Sequence, residues 1–165
     1  CIRDRLSRAI IIALTDEFGK HEFIRRQLGF HPGRTINYWI YVDGKPARII
    51  GRLDGERYIR KPDNRIEVRG GEIKLFTTPS SFMKQIIIGY IQSHIYGYGA
   101  HLFNWEIYLV KDTPELEKIK RLDELKEKNY LFTAYLQLKR EEAFKIVSTA
   151  VKMARAIKKY QTSLL

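Results

Sequence analysis

The sequence predicts an α+β fold, antiparallel sheet packed with helices, in an order compatible with two pseudo-symmetric halves around a central helix pair. Three observations carry this expectation. The runs Ile10–Gly19 (IIIALTDEFG) and Phe82–Gly99 (FMKQIIIGYIQSHIYGYG) are apolar on most sides, as buried helices are. Each has a small residue in mid-run, Ala13 and Gly89, where a second backbone can approach. Between them, residues 36–76 alternate apolar with charged positions and are punctuated by Asp-Gly, Pro-Asp-Asn and Gly-Gly, the signature of short strands and tight turns. The 165 residues suit one domain, 1–165, whose halves would be 1–78 and 79–165.

Taken in order, residues 2–29 read as helix, with Leu6, Ile10, Ala13, Leu14 and Phe18 forming a 3/4-spaced stripe and Gly19 an interruption before His21–Leu28. Phe30-His-Pro-Gly33 reads as a loop. Ile36–Val42 and Ala47–Leu53 flank Asp43-Gly44, a hairpin signal. Asp54-Gly55 predicts a second turn into Glu56–Lys61, and Pro62-Asp63-Asn64 a third into Arg65–Arg69. A fourth at Gly70-Gly71 leads into Glu72–Phe76, which makes the whole region an antiparallel meander. Ser80 and Ser81 are suitable N-caps for the Phe82–Gly99 helix. Ala100–Phe103 and Trp105–Val110 read as strands. Thr113-Pro-Glu opens a helix whose inner side is Leu116, Ile119, Leu122 and Leu125. Tyr130–Leu138 reads as a strand or short hairpin, and Glu141–Tyr160 as an amphipathic helix with Phe144, Val147, Val151, Ala154 and Ile157 inward.

Lys and Arg number 30 against 19 Asp and Glu, a formal net charge of +11. Such a balance suits a polyanionic partner, nucleic acid first and duplex DNA in particular. No apolar run approaches the roughly 18 residues of a membrane span, so no membrane partner is expected. The single cysteine, Cys1, permits no intrachain disulfide and fits a reducing cytoplasm. Abundant Ile, Lys, Arg and Glu is a composition common among thermophile proteins. Monomer and homodimer both remain open.

Strand alternation assigns the cations to faces. Arg48 with Arg52, Arg57 with Lys61, and Arg65 with Arg69 each share a side, and Arg34 precedes them. A cationic antiparallel sheet of this kind can dock in a DNA groove, contacting phosphates and guanine edges. Tyr38, Trp39, Tyr41, Tyr58, Tyr96, Tyr98 and Trp105 offer a rival use, stacking of unpaired bases, for any ring exposed beside an arginine. Pro62-Asp63 with Glu72-Ile73-Lys74 matches the PD-(D/E)xK nuclease pattern, in which two acids bind Mg²⁺ and a lysine positions the attacking water. A Gly70-Gly71 turn would hold Asp63 about 13 Å from the other two. His21, His31, His94 and His101 lack a ligand spacing for zinc.

Ile11-Ile-Ala-Leu-Thr-Asp-Glu-Phe-Gly19, through Leu14, Asp16 and Gly19, resembles the motif of the LAGLIDADG homing endonucleases, and Ile87–Ile95 resembles it through Gly89. Residues 105–122 and 130–147 resemble the strand–helix–strand–helix that completes a half of that fold. The resemblance implies two motif helices packed on a pseudo-twofold axis, here at Ala13 and Gly89, with DNA-binding strands after each. The position of the metal-binding acid is taken by Phe18 and His94, so the resemblance implies a DNA-binding scaffold more than a working nuclease. Asp16 and Glu17 are the candidate catalytic acids if Mg²⁺-dependent cleavage persists. The element order also resembles acetyltransferase folds, which would show a splayed parallel strand pair, although Thr78-Pro-Ser-Ser81 has no glycine for a pyrophosphate loop.

Overall fold

The computed structural model describes residues 19–163. Cys1, Ala13, the candidate acids Asp16 and Glu17, and the motif run through Phe18 lie outside them. The described chain is mixed α and β. A helix over residues 19–27 (α1) leads to β1 (His31–Pro32), β2 (Thr35–Val42), β3 (Lys45–Arg52), β4 (Gly55–Arg60) and β5 (Ile66–Phe76). Then follow α2 (Pro79–Ala100), β6 (Asn104–Lys111), α3 (Leu122–Glu127), β7 (Leu131–Gln137) and α4 (Arg140–Ser163). No helix among the described residues is long and apolar enough to cross a membrane.

The expected meander divides into two sheets. β2 and β3 pair only with each other, while β1-β4-β5-β6-β7 form a five-stranded sheet. The β2–β3 hairpin forms as its sequence demands: Asp43 and Gly44 both have positive φ, 53° and 68°, which a two-residue primed turn requires. Asp54-Gly55, in contrast, is a corner and not a hairpin turn. Leu53 is buried, and a Cβ on Gly55 would lie 2.7 Å from Cβ of Phe30, so the chain is pulled off the hairpin into the larger sheet. The Pro62–Asn64 turn is present, joining β4 to β5 with Asn64 at φ 62°.

Gly70-Gly71 is not a turn. Both residues lie inside β5, opposite Glu56 and Gly55. Their lack of side chains serves packing: Cβ atoms there would lie 2.7 Å from the Trp105 ring on one face and the Phe30 ring on the other. Glycine in a strand marks a bend or a close approach as readily as a turn, and here close approach is the reason.

α2 carries the chain from β5 to a parallel β6, with unbroken pairing from Gly70↔Trp105 to Phe76↔Lys111 and no splay. Its N-cap is Thr78, ahead of the expected serines. The Thr78 hydroxyl accepts from the Ser81 N–H while the Ser81 hydroxyl accepts from the Thr78 N–H, with Pro79 at the first helical position. The helix runs through all its glycines to a left-handed cap at His101, so Ala100–Phe103 forms no strand. Gly89 faces the sheet, where an added Cβ would meet Ile107 and Lys74. The helix expected from Thr113 breaks into a 3-10 turn, Leu116–Lys118, and α3, yet Leu116, Ile119 and Leu125 are all buried as the stripe requires.

The large sheet is covered on both sides. Ile73, Tyr108 and Val110 meet Ile24, Leu28 and Phe30 on one face. Phe76, Ile107 and Leu109 meet Phe82 and Ile86 of α2 on the other. The inner face of the hairpin, Ile40 and Val42, packs on Val147 and Val151 of α4. Phe144, Ala154 and Ile157, expected inward, are exposed, because α4 meets the body along Ala143, Val147 and Val151.

Candidate active site

Beyond the last β4–β5 pair, Gly55↔Gly71, the edge of β5 has no neighbouring strand. The N–H of Ile73 would go unpaired there. Asp54, in the corner between β3 and β4, fills the gap: its Oδ2 accepts that N–H at 2.7 Å. The bond fixes the Asp54 carboxylate beside Glu72 and Lys74, which share one face of β5 because they are two residues apart. The Lys74 ammonium donates to Glu72 Oε2 at 2.8 Å and stands 3.8 Å from Asp54 Oδ2. His21 of α1 approaches Asp54 from the other side, Nδ1 to Oδ1 at 3.7 Å. Tyr96 of α2 stands within electrostatic reach of all three charged groups.

The side chain of Glu72 is 2% exposed, whereas those of Asp54 and His21 are each 24% exposed, so the cluster opens on the Asp54 side. Burial pushes the Glu72 carboxyl up to about 8, with Lys74 opposing and the nearby Asp54 adding to the rise. Burial also acts to raise Asp54, but His21, Lys74 and the Ile73 N–H together hold it below the usual carboxylate range. Desolvation works against the Lys74 charge; Glu72 and Asp54 outweigh it and leave the ammonium more firmly protonated than usual. Two carboxylates thus face each other with opposite displacements, the arrangement found where acid chemistry or cation binding is done.

One atom tests whether a cation fits. Glu72 Oε1 is buried with no hydrogen-bond partner, a state that costs free energy unless something else neutralises it. The orphaned Glu72 oxygen and the Asp54 carboxylate are hard oxygen donors, the kind that Mg²⁺ or Mn²⁺ takes while keeping several waters. Among the described residues no group of three His, Cys, Asp or Glu is placed to hold a metal ion, so a cation here would have Asp54 and Glu72 as its only carboxylate ligands and water for the rest.

Of the PD-(D/E)xK residues expected from sequence, Glu72 and Lys74 are brought together and Asp63 is not. Asp63 sits in the β4–β5 turn, paired with Arg65. The acid that lies beside Glu72 and Lys74 is Asp54. Reading it as a turn residue hid it; the available signal was an Asp ahead of Glu-x-Lys on the strand that its own backbone leads into.

The expected arginine face is divided as well. Arg57 and Arg69 both pair with the buried Glu106, and Arg69 and Lys61 pair with Glu67. Arg34 donates to buried Glu56. Arg57 also stacks on Phe30, 4.5 Å from the ring centroid. Among the strand cations expected to form that face, Arg48 and Arg52 on β3 are exposed without a carboxylate partner among the described residues, as is Arg60 on β4; the Nε atoms of Arg48 and Arg52 donate to Asn37 Oδ1 and Gly33 O.

No family profile and no curated protein sequence matches the chain. Among solved structures it is similar to the crystal structure of SSO0001, with a TM-score of 0.51 and 14% identity. The match covers 82% of this chain and 56% of that one, so the chain spans little more than half of that structure's length. The likeness is one of fold alone.

Proposed function

We propose that this protein is a divalent-cation-dependent phosphodiesterase acting on nucleic acid, with Asp54, Glu72 and Lys74 as its working residues. The observation that carries the reading is the buried, unpartnered Glu72 Oε1 beside Asp54 and Lys74. Asp54 and Glu72 would hold the cation. Bound there, it supplies Lewis-acid charge to a phosphoryl oxygen. Lys74, kept charged by the two carboxylates, offers a second positive group for the charge that gathers on phosphate during displacement. The Ile73 N–H and His21 keep Asp54 ionised and oriented. The +11 balance favours a polyanionic substrate over a small uncharged ester.

The test is cleavage of end-labelled single- and double-stranded DNA and RNA by metal-stripped protein, with Mg²⁺, Mn²⁺ or EDTA. Cation-dependent products are expected, and Asp54→Asn or Glu72→Gln should slow their formation by about 10²–10³-fold while the variants still melt cooperatively. Products that persist undiminished in Asp54→Asn would remove the site from the mechanism.

A second reading, a DNA-binding protein that docks duplex on its strands without cutting, is favoured by the exposed Arg48 and Arg52, which meet no carboxylate among the described residues. It predicts binding in EDTA that weakens steeply with salt and that falls in an Arg48→Ala/Arg52→Ala double variant.

A further inference from the structure

The outward face of the β2–β3 hairpin carries Thr35, Asn37, Trp39 and Tyr41 on one strand, opposite Arg52, Ile50, Arg48 and Pro46 on the other. All eight are exposed, and neither strand contains a carboxylate. Asp43 at the turn is engaged by Lys152 at 3.3 Å. Trp39 is 63% and Tyr41 69% exposed, on a sheet whose other large residues are mostly turned inward. Trp39 lies directly across from Arg48, at a cross-strand position where side chains meet.

This face is rigidly backed. The Tyr38 ring fits over Gly99 of α2, which has no Cβ to obstruct it, and its hydroxyl donates to Ile95 O at 2.8 Å. Arg155 of α4 donates to the carbonyls of Val42, Lys45 and Pro46, tying down the hairpin tip. Two aromatic rings two residues apart are about 6.6 Å from each other along a strand. Held there beside guanidinium groups, they form a stacking platform whose charge complements a phosphate backbone.

We infer that the Trp39–Tyr41–Arg48–Arg52 face binds single-stranded nucleic acid, with unpaired bases stacked on Trp39 and Tyr41 and phosphates held by the two arginines. Bases within a duplex are already stacked on their neighbours and offer no face to an aromatic ring, whereas an unpaired base does. The inference rests on the nucleic-acid reading above for the class of partner and is independent of cleavage. β3 leads from this face into the corner that carries Asp54.

Trp39 is its own probe, because Trp105 is 1% exposed. Protein in EDTA is titrated with oligo(dT), oligo(rU) and a mixed-sequence duplex of equal length, following tryptophan emission and, separately, anisotropy of labelled oligonucleotide. Single strands should quench the emission and bind at least ten-fold tighter than duplex. Trp39→Ala should weaken that binding by about 5–150-fold, the range for loss of one stacked base, with partial rescue in Trp39→Phe. Single strands that bind with no quench, or equally well to Trp39→Ala, overturn the inference. So does a wild-type dimer that Trp39→Ala converts to monomer, since a second copy would then cover the face. Because EDTA removes the cation, binding without any later cleavage under Mg²⁺ would defeat only the phosphodiesterase reading.

Discussion

Glu72 is the residue on which the chemistry turns, and its displacement has a thermodynamic consequence. Its carboxyl lies at about 8 in the folded protein against 4.5 for the free group, so between those values the folded chain holds a proton that the unfolded chain has released. Stability contributed by the neutral acid is full below about pH 4.5 and is lost as pH rises through about 8. In EDTA the unfolding free energy of wild type should therefore fall relative to that of Glu72→Gln between pH 5 and about pH 8, with a slope of at most about 1.4 kcal/mol per pH unit, and level off above that. Mg²⁺ at pH 9 should restore the wild type and leave Glu72→Gln unmoved, since a cation takes the place of the proton. A stability difference that does not change with pH would mean that Glu72 is ionised throughout and that the orphaned oxygen is not the site of exchange.

Among the elements, α2 depends on small residues to come close to its neighbours, and its glycines are not equivalent. A Cβ at Gly89 would lie 3.0 Å from Ile107 Cγ2 and 3.6 Å from Lys74 Cγ, a tight fit against side chains only. At Gly97 it would lie 2.5 Å from the Leu102 carbonyl oxygen, 2.7 Å from Leu138 and 2.8 Å from Trp105 Nε1. That carbonyl accepts the Trp105 indole N–H at 2.7 Å, so neither partner can retreat without breaking the bond. Alanine gains about 1 kcal/mol over glycine within a helix, and overpacking costs about 1–3 kcal/mol. The two terms nearly cancel at Gly89, while at Gly97 the cost prevails. Denaturant melts should show Gly97→Ala destabilised by at least about 1 kcal/mol more than Gly89→Ala. Equal stabilities would mean that the helix end moves freely away from Leu102.

Across the whole molecule, a large excess of cations leaves few arginines on the strands free to meet phosphate. Arg57 and Arg69 neutralise Glu106, a carboxylate only 2% exposed that also accepts the Tyr108 hydroxyl at 2.7 Å. Removing either cation strips a buried charge of part of its compensation, which typically costs about 1–3 kcal/mol. Arg48 and Arg52 compensate no carboxylate among the described residues. Two classes of variant should therefore separate in paired measurements. Arg69→Ala should lower the denaturation midpoint, whereas Arg48→Ala/Arg52→Ala should keep it and reduce the salt dependence of nucleic-acid binding by about two phosphate contacts. A double variant whose salt dependence is unchanged would take the hairpin out of the interface.

What the sequence determined by itself is local: the α+β class, the Asp43-Gly44 hairpin, the apolar stripe of Leu116, Ile119 and Leu125, and the net positive charge. Each follows from periodicity or from turn chemistry within a few residues, where backbone sterics and side-chain spacing leave one answer. The tertiary structure decided the rest. Gly70-Gly71 carries the same two letters in a turn or in a strand pressed between two aromatic rings, and only Trp105 and Phe30, distant in sequence, select the strand. That choice keeps β5 unbroken from Ile66 to Phe76, sets Glu72 and Lys74 beside Asp54 instead of Asp63, and divides the arginines between buried carboxylates and open solvent. Strand alternation assigns a side chain to a face, but which face meets a carboxylate, a helix or water depends on partners remote along the chain.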